Sequence, residues 1–322
     1  MSDFETVAAS ENQAARRGPS GEPGAPNQVG GTSTLAGKPR SLAGDAWRDL
    51  RRKPIFWISL ALVLLFTAMA ALPGLFTSND PADCVLARQH AGPSAGAIFG
   101  YDFQGCDTYA RAVYGTRASL LVGALSALLT GAIALVVGML AGFFGRWVDA
   151  VLSRVIDIVL GIPLLLAAIV LLKRVTSDSS TVRIAAIIFV LAVLGWTTAA
   201  RVVRSSVITA KEQDYVAAAR MLGAGNGRIM WRHILPNALA PAVVVLTIAL
   251  GSFIAAEATL SFLGIGLKDP TISWGQDIDT GRVHMRESAI PLLVPSTFLA
   301  LTVLAFIMLG DAIRDAFDPK LR

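Results

Sequence analysis

Charge is scarce in this chain. Only 16% of its 322 residues are Asp, Glu, Lys or Arg, against about 25% in ordinary soluble domains, and 54% are hydrophobic, with a mean hydropathy of +0.59. Histidine is scarcer still: His90, His233 and His284 lie in separate loops, with no Gly-x-Ser-x-Gly elbow beside them, so no nucleophile has a base within reach of the sequence pattern. There is no His-Glu-x-x-His and no Cys-x-x-Cys spacing, and no metal site is expected. No Gly-x-x-x-x-Gly-Lys-Ser/Thr loop occurs either, so the chain is not expected to hold ATP through one. These absences leave no enzyme site and point to a polytopic membrane protein. The formal charge of +5 does not indicate a nucleic-acid partner, because Lys and Arg cluster at the ends of apolar runs and form no basic stripe.

What is present is a succession of apolar runs. Residues 1–44 hold Asp3, Glu5 and Glu11 among many Gly, Pro and Ser, with no apolar core of a cleavable signal, and read as a disordered cytoplasmic tail. Residues 45–76 form an N-terminal region and the first span, Ile55–Phe76. Arg48, Arg51, Arg52 and Lys53 precede it and place the N-terminus inside. Residues 77–117 form a polar extracytoplasmic loop carrying both cysteines, Cys84 and Cys106. They either close a disulfide, worth about 3 kcal/mol in the chain-entropy reading, or remain two thiols.

Residues 118–322 hold five further spans: Ala118–Phe144, Val151–Leu172, Ile184 to about Ala200, Pro236 to about Gly264, and Ile290–Leu309, with both termini inside. The basic outer turn Lys173–Arg183 argues against this topology, and the even number of crossings outweighs it. In the second span Gly123, Ala127, Gly131, Ala134, Gly138, Gly142 and Gly145 fall on one stripe about 100° wide, a face for close helix packing. In the third, Pro163 predicts a bend and Arg154 with Asp157 an i,i+3 pair. Asp157 and Glu257 are intramembrane charges of either pore or structural role.

One segment between spans four and five, within 208–236, is too rich in Arg and His to lie in hydrocarbon. Tyr215, Ala218, Ala219 and Leu222 at i, i+3, i+4 and i+7 predict a short helix with one smooth face, stopped by Gly223 and Gly225. With its flanks, DYVAAARMLGAGNGRIMWRHILPN resembles the cytoplasmic signature loop of permease subunits from ATP-binding-cassette importers: Glu-Ala-Ala, three residues, Gly, nine residues, Ile-x-Leu-Pro. Ala218, Ala219, Gly223, Leu235 and Pro236 keep the pattern, Ala217 stands where glutamate is usual, and His233 replaces the isoleucine. GYDFQGCD, AEATLSFLGIG, Ser273–Gly275 and the terminal LGDAIRDAFDPKLR resemble the C-type permease of dipeptide and oligopeptide importers.

The resemblance implies an all-α type I importer permease of six transmembrane helices in a bacterial plasma membrane. Its docking residues would be Tyr215, Ala217, Ala218, Ala219, Arg220, Leu222, Gly223, His233, Leu235 and Pro236. It implies as partners a second permease, one or two cytoplasmic ATPase subunits that use ATP and Mg, an extracytoplasmic peptide-binding protein and a peptide. No cofactor is expected in this chain. A nickel or other small-solute importer is the alternative within the class, and an autonomous channel or secondary carrier outside it. An intramembrane protease would need Asp157 and Glu257 to face each other.

Overall fold

The computed structural model describes residues 42–317, residue 178 apart. The tail expected over 1–44 falls outside them as far as residue 41, as do the last five residues of the C-terminal motif. Among the described residues there is no β-strand, only two isolated bridges, Ser94 with Ala97 and Tyr101 with Asp107. Five helices there are long and apolar enough to cross a bilayer, and a bent pair, counted as one broken span, brings the number to six.

The chain begins with α1 (Leu42–Leu50), which rests on the last helix through Leu50, Ala312 and Ala316. Pro at its first position starts α2 (Pro54–Ala71). The outer loop follows and leads into α3 (Thr108–Phe144), which starts ten residues before the expected span because the Asp107 carboxylate accepts from the Tyr109 and Ala110 amides and caps it. Arg111 and Arg117, which made this stretch look like loop, are accommodated in the helix by partners outside it. Arg111 donates to Asp277, and Arg117 Nε donates to the Ala70 carbonyl at 3.0 Å.

The glycine stripe does bring helices together, but against two neighbours. A Cβ on Gly138 would lie 2.8 Å from the Ala200 carbonyl, and one on Gly142 would lie 2.8 Å from that of Arg204. Gly123 and Gly131 instead face Ile254 and Leu246. The inner half of α3 therefore packs on α6 (Ser180–Lys211), and its outer half on α9 (Leu235–Phe262). The helix is the axis of the bundle.

The third crossing is broken. α4 (Arg146–Leu160) and α5 (Leu164–Leu172) meet at 79°. Gly161 ends the first piece, and Pro163, with no amide hydrogen to donate, begins the second. The proline was expected to bend this span, and it divides it. α6 runs eleven residues past the expected end at Ala200 because its basic residues find partners. Arg201 and Arg204 reach back to α4, and Lys211 Nζ donates to the Phe143 carbonyl at 2.7 Å.

After α6 come α7 (Asp214–Met221), α8 (Asn226–Ile229) and a π-helical turn, Met230–Ile234, that runs without interruption into α9. Pro236 lacks the amide that would bond the Arg232 carbonyl, and a widened turn just before it relieves the clash of its ring. The outer turn hides α10 (Trp274–Val283), which has no counterpart among the expected elements and is capped by the Ser273 hydroxyl. α11 (Ile290–Phe317) completes the bundle against α9 and α2.

Candidate functional site

The docking segment is built as a knob on a rigid stalk. α6 carries the chain past the bundle, and α7 folds back on its end through Val216, which packs with Val207, Ala210, Ile229 and Ile234, and Ala219 is buried on the same face. The smooth face predicted from Tyr215, Ala218, Ala219 and Leu222 is not the buried one. Of these four only Ala219 points inward, because the contact is made by an i,i+3 pair one residue out of step with that stripe. Tyr215, Ala217, Ala218 and Arg220 remain open, and Met221 and Leu222 are 83% and 88% exposed. Two adjacent large apolar side chains held out at a helix end form a surface left uncovered among the described residues.

Gly223 makes that presentation possible. It has φ +80°, a left-handed conformation that costs an L-residue roughly 1–2 kcal/mol. Its amide donates to the Arg220 carbonyl at 2.9 Å, and the Ala224 amide reaches back to Ala219 at 3.0 Å, closing the helix end. The other end is fixed to α9: Asn237 Nδ2 donates to the Tyr215 hydroxyl at 2.8 Å and to the His233 carbonyl at 2.9 Å. His233 lies 6.4 Å from the Tyr215 ring, in the π turn, while Leu235 and Pro236 open α9. The residues of the signature thus form one body around the α6–α9 junction. The pairing of Tyr215 with Asn237 was not foreseen. The only signal for it in the sequence is an amide one residue after Pro236.

The intramembrane charges separate into two cases. Asp157 does not pair with Arg154 as the spacing suggested. It accepts from Arg201 Nη2 at 2.6 Å, because α4 runs beside α6 and brings residues 44 apart in sequence face to face. One turn further along, Arg204 grips Asp149 bidentately, with Nη2 to Oδ2 at 2.6 Å. Glu257 is wholly enclosed. Its carboxylate accepts from Ser119 of α3 at 2.9 Å and from Ser261 one turn along α9 at 2.7 Å. The Ser261 oxygen accepts in turn from the Leu267 amide at 2.9 Å. Asp157 and Glu257 have separate partners on separate helices and form no acid pair.

At the opposite end from α7 the loop is stapled. Cys84 and Cys106 are bonded, 22 residues apart. The Asp102 carboxylate organises the same turn by accepting the Gln104 and Cys106 amides at 2.8 and 2.9 Å. Arg111 Nε donates to Asp277 of α10 at 3.0 Å and lies 3.7 Å from Asp102. Burial raises the Asp277 carboxyl above its ordinary value, and Arg111 opposes that shift. The buried Trp274 indole donates to the Ala112 carbonyl at 2.8 Å. Loop, α3 and α10 are one cap.

A bundle of membrane-length helices clasped through glycine, with a short helix held off one end, defines a polytopic membrane protein. The chain belongs to the family of binding-protein-dependent transport system inner membrane components, whose pattern matches residues 134–322. Residues 41–93 match the N-terminal transmembrane domain of oligopeptide transport permease C. It is 36% identical to the dipeptide transport system permease protein of Alkalihalophilus pseudofirmus over 86% of this chain and 90% of that one. It is 33% identical to the oligopeptide transport system permease protein of Bacillus subtilis over 94% and 97%. Among solved structures, the inward-facing MetNI methionine ABC transporter aligns with 22% identity and a TM-score of 0.49 over 64% of this chain and 96% of that one. The protein is a multi-pass component of a bacterial inner membrane, as its composition implied.

Proposed function

We propose that this chain is the permease subunit of an ATP-driven importer of dipeptides or oligopeptides, forming half of the translocation pore and doing no catalysis itself. The observation that carries the reading is the exposed end of α7, Met221 and Leu222, held by Gly223 and by the Tyr215–Asn237 bond. A surface of that kind serves to be gripped. In this reading a cytoplasmic ATPase subunit grips it, both termini of the permease are cytoplasmic, a second permease completes the pore, and an extracytoplasmic binding protein delivers peptide to the stapled cap. Hydrolysis with Mg resides in the ATPase. Ala217 supplies no carboxylate for that contact, and Glu212 and Asp214, both exposed at the start of α7, are placed to substitute. The identity of the relatives as peptide permeases over nearly their whole length favours peptide over nickel or another small solute.

The test places a photo-crosslinking residue at position 222 in native membranes. The expected adduct contains an ATP-hydrolysing protein, and Gly223→Asp removes both the adduct and ATP-dependent peptide uptake while the chain still inserts. Labelling of position 222 from the outer side of the membrane, or uptake driven by an ion gradient with this chain alone in liposomes, would overturn the proposal.

A further inference from the structure

The broken crossing leaves space behind it. Between the Gly161–Pro163 break, α6 and α9 lies an open cavity of about 460 Å³ bordered by Thr130, Thr197, Thr198 and Ser252 among apolar neighbours. That volume is in the range that holds a small organic ligand. Thr130 is enclosed behind this wall, while the Thr198 and Ser252 side chains are exposed on it. A second space of about 400 Å³ opens nearer α7, bordered by Ser205, Thr209, Gln213, Tyr215 and Asn237.

The two spaces share one groove. At about 100° per residue, Thr198, Ser205 and Thr209 fall within an arc of roughly 40° on α6, and Gln213 follows just past its end. Ser252, Ile248, Pro241 and Asn237 fall within roughly 60° on α9 by the same reckoning. All of the polar members of these two stripes are exposed. No ionisable group other than the Tyr215 phenol borders either space, and the adjacent Asp157–Arg201 pair neutralises itself. Several of the hydroxyls donate backwards into their own helix: Thr209 to the Ser205 carbonyl at 3.2 Å and Ser252 to that of Ile248 at 3.3 Å. Their oxygens keep lone pairs for an outside donor, whereas the Asn237 and Gln213 amide nitrogens already donate inside the chain, to Tyr215 and His233 and to Thr209.

We propose that this α6–α9 groove is the chain's wall of the translocation path and that it engages the substrate through neutral hydrogen bonds to the peptide main chain. The inference rests on the importer reading. Its chemistry follows from the lining. Neutral hydroxyl acceptors on both helices match the amide N–H groups that every peptide main chain carries. A wall without charge reads no side chain, so selection by side chain falls to other parts of the transporter.

The test uses the assembled transporter in proteoliposomes, with Thr198→Cys and Ser252→Cys introduced singly. Leu128→Cys, on the exposed side of α3, serves as the control. The native cysteines are bonded to each other and do not react. A water-soluble methanethiosulfonate should label positions 198 and 252, and tri-alanine at about ten times its Kd should slow that labelling about tenfold, while glucose has no effect and position 128 is insensitive to peptide. Thr198→Val and Ser252→Ala should raise the KM for tri-alanine uptake with little change in kcat.

If positions 198 and 252 label in the separated chain but not in the assembled complex, a partner permease covers the groove and the proposal fails. If they label without protection while ATP-dependent uptake proceeds, the groove is not the path although the importer reading stands. An assembled wild-type complex that takes up no peptide rejects the importer reading itself.

Discussion

Replacing Glu257 by alanine removes the acceptor on which two buried hydroxyls depend. Ser119 and Ser261 donate to opposite oxygens of the carboxylate at 2.9 and 2.7 Å, in a site with no solvent exposure. Each stranded buried group costs about 1–3 kcal/mol, and the deleted side chain leaves a void besides. Ser261 retains its bond from the Leu267 amide, and Ser119 can turn to a carbonyl of its own helix, so part of the loss is recovered. A net destabilisation of about 3–5 kcal/mol follows for Glu257→Ala.

Glutamine keeps the volume and one carbonyl acceptor, and its amide can donate to the second serine oxygen. Glu257→Gln should therefore lose no more than about 1–2 kcal/mol. The two variants and the wild type are compared in lipid nanodiscs by thermal unfolding followed through tryptophan emission. With about 2–4 °C per kcal/mol for a chain of this size class, the alanine variant should melt at least about 6 °C lower and the glutamine variant close to wild type. The assignment of Glu257 as a structural pin between α3 and α9 is refuted if Glu257→Ala melts with the wild type. A glutamine variant that falls as far as alanine would show that the negative charge, and not the hydrogen bonding, is what the site needs.

Two further outcomes separate backbone contact from flexible contact, and covalent from non-covalent order. Gly142→Ala places a methyl 2.8 Å from the Arg204 carbonyl, whereas Gly131→Ala meets only the movable Leu246 side chain. The first should therefore cost about 1–3 kcal/mol more than the second, read as the difference in melting temperature. Opening the Cys84–Cys106 bond by a double change to serine removes roughly 3 kcal/mol of constraint from a 22-residue separation. Limited proteolysis should then cut residues 77–107 faster than in the parent, while equal rates would assign the loop's order to Asp102 and Arg111 alone.

Hydropathy and small-residue spacing made the crossings legible because burial in hydrocarbon leaves no alternative to a continuous helix, and the glycine stripe on α3 marked a close contact before its neighbours were known. Helix ends were less legible. Arg201 and Arg204 read as the end of the fourth span, since a charge beside an apolar run signals the water boundary when its partner is unseen, and Arg111 fell within the Asp-rich stretch read as loop. Each is instead paired to a distant carboxylate, Asp157, Asp149 and Asp277 respectively, and the helices continue through them. Pairing across 44 to 166 positions leaves no trace in local spacing.

The same blindness accounts for α10 and for the buried face of α7. α10 is ten residues of mixed polarity, and nothing in its own periodicity explains why it is a helix. It is one because the Trp274 ring is seated against α3 beside Gly115, Gly275 lies close on Ala258, and Arg111 holds Asp277. α7 shows the complementary failure. Its four-residue apolar stripe was real, but a stripe says only which side chains lie together, and an exposed stripe looks the same in sequence as a buried one. Val216 packs with Val207 and Ala210, and with Ala219 it turns inward, leaving Met221 and Leu222 outside. An apolar surface left uncovered by the described residues is what a docking knob requires, and three residues of the smooth face, Tyr215, Ala218 and Leu222, are exposed and left for a partner to bury.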